Sequence, residues 1–267
     1  MSDHLLRSHA PITDEGWAEL QREVRQQLVP VLAARRLVDF SGPKGWTHSA
    51  SNLGRVTAIE PPSPGLVANQ RRVLPLAELR AEFSVSRDEL RAFDRGAARL
   101  DLDNLDAAAR RIAEAENVAV FHGWAGAGIN GIAESASAVP IPLGPNVAEY
   151  PSPVAKAVEV LLSAGIVGPY GLALGPETYT AVVETTEHGG IIVFDHLRQI
   201  LGGPIVWAPG VTGAVVVSLR GGDFVFECGE DLSLGYDSHD ADEVRLYLEE
   251  SFSFQVVTPE AAVVLSP

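Results

Sequence analysis

Cysteine is almost absent from this chain. Cys228 is the only one, so an intrachain disulfide is impossible and a thiolate-held metal cluster is excluded. Positive charge is also scarce: 20 Lys and Arg against 35 Asp and Glu leave a net charge of −15, a surface that repels phosphate backbones and argues against a nucleic-acid partner. No apolar run approaches the roughly 20 residues that a bilayer-crossing helix needs, and the opening MSDHLLRSHAPITDEGW lacks the charged-then-apolar order of a signal peptide. A cytoplasmic protein with no membrane partner is the expectation. The 7 histidines never fall in HxxxH or HExxH spacing, and neither a GxSxG elbow nor a P-loop occurs. No catalytic residue, metal ligand or cofactor is therefore nominated, and the chain is not expected to be an enzyme.

What is present describes extended surfaces made for packing. With 46% hydrophobic and 21% charged residues, the 267-residue chain has the composition of a folded globular protein, as one large domain or two interleaved ones. Val244, Leu246, Leu248, Phe252, Phe254 and Val256 fall on every second position, with Arg245, Tyr247, Glu249, Ser251, Ser253 and Gln255 between them, which predicts a half-buried strand. Glu250 interrupts the apolar side and marks a bulge, an ion pair or a charge that discourages edge pairing. Pro259 ends the run. Cys228 shares a predicted strand face with Phe224 and Phe226 and reads as a packed, inert thiol.

Near the start, Thr13 caps a predicted amphipathic helix whose stripe is Trp17, Leu20, Val24 and Leu28, and Pro30 ends it. Such a helix packs on its own domain or lines a groove for another protein's peptide. Gly42, Pro43 and Gly45 make a rigid turn beside Trp46, a large apolar plug. Residues 54–60 and 66–79, joined by PPSPG, form a hairpin projection without an obvious local core. Ser86 and Glu89 have capping-box spacing for a helix stopped by Gly96. A longer helix from Asp103 carries Leu105, Ala108, Ile112, Ala115 and Val118 on one side.

GAGING, residues 126–131, satisfies GxGxxG, a pattern that needs a strand before it, a helix opening at its end and an acidic residue about 20 positions on. Here VAVFHGWA continues a helix, and Pro140, Pro142 and Pro145 stand where the phosphate-binding helix should run. A Gly-rich connection between subdomains is the better account. Ser152 and Pro153 then start a helix with Val154, Val158 and Leu161 on its apolar side and Gly165 at its end. TTEHGG, residues 185–190, is a polar loop, and Asp237, His239, Asp240, Asp242 and Glu243 read as a solvated acidic turn.

The wording of ARRLVDFSGPKGW (34–46), LPLAELRAEF (74–83), IVGPYGLALGPETY (166–179), GGPIVWAPGVTGAVVVSLRGGDF (202–224), GEDLSLGY (229–236) and ESFSF with TPEAAV resembles the encapsulins, bacterial proteins that assemble into closed nanocompartments. The resemblance implies an α+β, HK97-like phage-capsid fold with a peripheral domain, an axial domain and an extended loop. Its divisions would be residues 1–47 (amino-terminal helix and part of the peripheral domain), 48–80 (extended hairpin), 81–125 (peripheral domain with a spine helix), 126–219 (axial domain) and 220–267 (peripheral strands). It further implies a self-assembling icosahedral shell of about sixty copies. The shell would hold a cargo enzyme, such as a dye-decolorizing peroxidase or a ferritin-like protein, by a docking tail. Leu28, Leu32, Leu232, Leu234 and Tyr236 would bury that tail's apolar side chains, and Glu187, His188 and Gly189 would line a pore that admits small solutes. The alternatives are a phage-type major capsid protein and a nucleotide-dependent enzyme built on Gly126–Gly131.

Overall fold

The computed structural model describes residues 4–187 and 189–267. Helix α1 spans Asp14–Leu28, and the Thr13 hydroxyl accepts from the Gly16 N–H at 3.1 Å. Leu20, Val24 and Leu28 are buried along its inner face. The next elements are β1 (Asp39–Ser41), β2 (Ala50–Ile59), β3 (Ala68–Pro75), β4 (Ala77–Ser86), α2 (Arg87–Asp94) and α3 (Asp103–His122). Then come α4 (Ile132–Ser135), β5 (Ile141–Pro142), α5 (Pro151–Ser163), β6 (Tyr170–Leu174), α6 (Pro176–Glu184), α7 (Val193–Leu201), β7 (Ile205–Trp207) and β8 (Ala214–Ser218). The chain closes with β9 (Phe224–Cys228), β10 (Ser233–His239), β11 (Glu243–Val256) and β12 (Ala262–Ser266).

Strand β11 organises the first sheet, ordered β1-β9-β11-β10, with β4 paired along its other side. The second sheet is ordered β5-β12-β8-β6-β7, so the last strand leaves its sequence neighbours and pairs antiparallel with β8. Its central strands β6 and β8 are buried throughout, as expected of short apolar runs covered on both faces. One apolar core fills this sheet and the helices around it; another joins α1 and α3 to β4, β10 and β11.

Several sequence expectations need correction. Strand β11 is buried on both faces through its middle: Tyr247, Glu249, Ser251 and Ser253 are as enclosed as the apolar positions. On the polar face Arg80 Nη2, from β4, donates to Glu249 at 2.6 Å, and at the base of the arm the Ser51 and Ser253 hydroxyls bond at 2.5 Å. Glu250 is an ion-pair residue, not a bulge, because the register with β4 runs through Glu250↔Leu79 without a break. The second arm of the hairpin stops at Pro75, which has no N–H for a ladder, and residues 77–79 already belong to β4. Helix α5 starts at Pro151, one residue early and without a side-chain cap, its first position taken by a residue of pre-set φ. Glu89 does not close a capping box; its carboxylate accepts from the Asp101 N–H at 3.1 Å. Trp46 is 40% exposed and stacks on His4 at 4.4 Å, so it is not a plug.

The inner face of α3 also differs. Val118 lies outside and Ala115 is half-buried, while Glu116 and Asn117 are buried. GAGING is a turn closed by a Trp124↔Ile129 bridge, with α3 in front of it and only the four-residue α4 behind. Gly131 packs against the His122 and Gly123 backbone, where a Cβ has no room. The glycine there serves a close chain crossing.

Candidate functional site

Helix α1 and strand β10 meet over one wall of the second core. Leu28, Leu234 and Tyr236 are buried in it, whereas Leu32 and Leu232 are half-buried at its margin. The structure therefore brings all five nominated residues into one cluster but leaves only two with appreciable surface. Leu28, Leu234 and Tyr236 are core residues, because the α1 stripe and the inward face of β10 point at the same interior.

Residues before α1 run along the open side of β10. The Tyr236 N–H donates to the Leu5 carbonyl at 2.9 Å, and Arg7 Nε donates to the Leu234 carbonyl at 2.7 Å. Arg7 also lies over the Trp17 ring, 5.4 Å from its centroid. A cavity of about 590 Å³ opens beside this segment, lined by Arg7, Ala10, Ile12, Trp17 and Gln21 among others. The sequence reading selected Trp17 only as helix stripe, and only the folded chain sets it opposite Arg7.

Asn117 fixes the segment after α1. Its Oδ1 accepts from the Ala33 and Ala34 N–H groups at 3.1 Å each, and its Nδ2 donates to the carbonyls of Val31 at 2.8 Å and Pro209 at 3.0 Å. All of its hydrogen-bonding capacity is used, which is what allows an amide at 0% exposure. Below this segment Arg35 meets three carboxylates: Glu116 at 2.7 Å, Asp231 at 2.6 Å and Glu250 at 2.8 Å. Its guanidinium also faces the Phe40 and Phe226 rings at 5.0 and 5.5 Å. Burial raises the pKa of both Glu116 and Glu250, and for Glu250 the neighbouring Glu116 carboxylate adds to the rise. Sequence reasoning missed Glu116 and Asn117, although a signal was there: Glu116 is four positions after Ile112, inside an otherwise apolar periodicity.

A family model described as "Encapsulating protein for peroxidase" matches residues 2–253. A Rhodospirillum rubrum protein described as a type 1 encapsulin shell protein is 46% identical over 267 residues, covering 98% of this chain and 95% of that one. The chain belongs to the encapsulin family. A Mycolicibacterium paratuberculosis shell protein of the same description is 41% identical, with 99% of each encapsulin chain covered. The crystal structure of a virus-like particle from Pyrococcus furiosus superposes with a TM-score of 0.64 over 95% of this encapsulin and 100% of that chain, at 18% identity. That likeness is one of fold, and it carries the α+β capsid architecture.

The other nominated positions of the encapsulin chain are equally specific. Glu187 Oε1 bonds His196 Nδ1 at 2.7 Å, which turns it toward α7; Gly189 is exposed, and His188 lies outside the described residues. Asp240 closes the β10–β11 turn by accepting from the Asp242 and Glu243 N–H groups and pairing with Arg245, contacts that hold its pKa down at about 2. Cys228 is fully enclosed, and burial pushes its thiol up to about 12, so it stays unionised and unreactive at neutral pH. Among the described residues no group of three or more His, Cys, Asp or Glu is placed to hold a metal ion, and no helix is long and apolar enough to cross a membrane.

Proposed function

We propose that this encapsulin is the shell subunit of a cytoplasmic nanocompartment, without catalytic activity of its own, that self-assembles into a closed icosahedral cage of about sixty copies. The observation that carries this reading is the β2–β3 arm. It is a two-stranded sheet with no core: Val56 is 59% exposed, Leu66 56% and Val67 91%. Such a ribbon is marginal in water unless another surface covers it. Arg55 and Arg72 are paired directly opposite on it, a like-charge juxtaposition that favours an acidic cover. A second copy of a chain with net charge −15 supplies one.

The groove margin at Leu32 and Leu232, backed by Leu28, Leu234 and Tyr236, takes the apolar side chains of a cargo tail. The family description points to a peroxidase as that cargo, with a ferritin-like protein as the other candidate. The loop at Glu187, His188 and Gly189 lines a pore around a symmetry axis. Light scattering after size exclusion, with electron micrographs of the same peak, tests the assembly. Uniform hollow spheres in the megadalton range are expected, and a stable species of one or two subunits overturns it. Leu232→Asp should then release co-purified cargo from shells of unchanged mass; retention of cargo by that variant removes Leu232 from the groove.

A further inference from the structure

Around Arg35, one cation faces three carboxylates, and two of them, Glu116 and Glu250, have 0% of their surface exposed. If all three were ionised, two negative charges would remain uncompensated, with much of the site out of water, an arrangement that folded proteins avoid by keeping a proton. The hydrogen bonds indicate where the proton sits. Glu116 Oε2 and Glu250 Oε2 are taken by the guanidinium, while Oε1 of each is buried and meets no donor. Two acceptors orphaned in the same cluster satisfy each other once one of them carries hydrogen.

We infer that Glu116 and Glu250 share one proton at neutral pH, and that this proton latches the segment after α1 and the helix α3 to the central strand β11. Glu116 comes from α3, Glu250 from β11, Arg35 from the 3-10 turn Ala34–Arg36, and Asp231 from the β9–β10 connection. The other groups facing the pair are the Cys228 thiol on β9 and the Phe40 and Phe226 rings, none of which donates to either Oε1. Asp231 is 44% exposed at its side chain, so water reaches it, unlike the two glutamates. The burial-raised pKa values of both glutamates agree with this assignment.

The latch has a defined pH signature. In the unfolded chain both glutamates lose their protons near the ordinary value of about 4.3, whereas the folded pair keeps one to higher pH. The folded state thus binds one more proton between those two values, and stability falls as pH rises through that window. One proton changes the folding equilibrium by about tenfold per pH unit, and the loss levels off above the folded pKa. The alkaline form puts a second charge into the joint and loosens it. This holds whether or not the groove accepts a cargo tail.

Infrared spectroscopy of the assembled protein in heavy water tests the inference directly. A buried protonated carboxyl should give its own C=O stretch at neutral pH, vanish on alkaline titration and be missing in Glu250→Gln. Glutamine keeps a hydrogen donor at that place without a titrating proton, so the variant should also lose the downward slope of melting temperature over the same window. Glu114→Gln, an exposed position on the same helix, should keep both the band and the slope. Absence of the band from the unmodified protein overturns the latch, even if Glu250→Gln fails to fold. So does a slope that survives in that variant.

Discussion

Strands β11 and β2–β3 are built from the same extended backbone, yet the first is enclosed along most of its length and the arm strands have no buried residue. From Leu246 to Phe254 every residue of β11 is buried, whereas no residue of β2 or β3 is. β11 has neighbours on both edges and cover on both faces, while each arm strand has a single partner. A strand is stabilised by what packs on its faces and edges more than by its own residues. The chain therefore buries Phe252 and Phe254 in β11 and leaves Val56, Ile59, Leu66 and Val67 exposed on the arm.

Three substitutions sharpen that contrast. Phe252→Ala removes a fully buried ring stacked on Phe226 at 4.8 Å, and should destabilise the protomer by about 3–5 kcal/mol in chemical denaturation, with loss of folded protein at physiological temperature. Thr13→Ala deletes the α1 cap and a hydroxyl that also donates to Asp94 at 2.8 Å; a loss of about 1 kcal/mol is expected by the same measurement. Val67→Asp, at the tip of the arm, should shift protomer stability by less than about 0.5 kcal/mol while shells vanish from the size-exclusion profile. Equal effects of the first and third substitutions on denaturation would erase the distinction between the two regions.

Much of the frame was legible from local rules. Thr13, the α1 stripe, Gly96 and Gly165 mark helix ends and faces by spacing alone, and the alternation of 244–256 marks β11. The faces were less legible than the elements. Ser251 and Ser253 read as a solvated side, but the Glu230 N–H donates to the Ser251 hydroxyl and Ser51, some two hundred residues earlier in sequence, bonds Ser253. Ala115 and Val118 read as core, but the inner face of α3 turns to Glu116 and Asn117 because Arg35 and the Val31 carbonyl meet them there. The five groove candidates were implied by the family resemblance, which gave no means of separating the half-buried Leu32 and Leu232 from the buried Leu28, Leu234 and Tyr236.

By itself the sequence determined the family, the positions of the main helices and of the long strand, and the acidic, single-cysteine character that bounds the chemistry. These rest on residue identity, on periods of two and 3.6, and on caps that act within a few positions. Only the tertiary structure decided that the last strand crosses to the second sheet, that Arg35 gathers three carboxylates from distant segments, and that Glu187 turns to His196. Those are contacts between residues far apart in the chain. Burial and partner geometry set their energies, and neither exists until the chain has closed on itself.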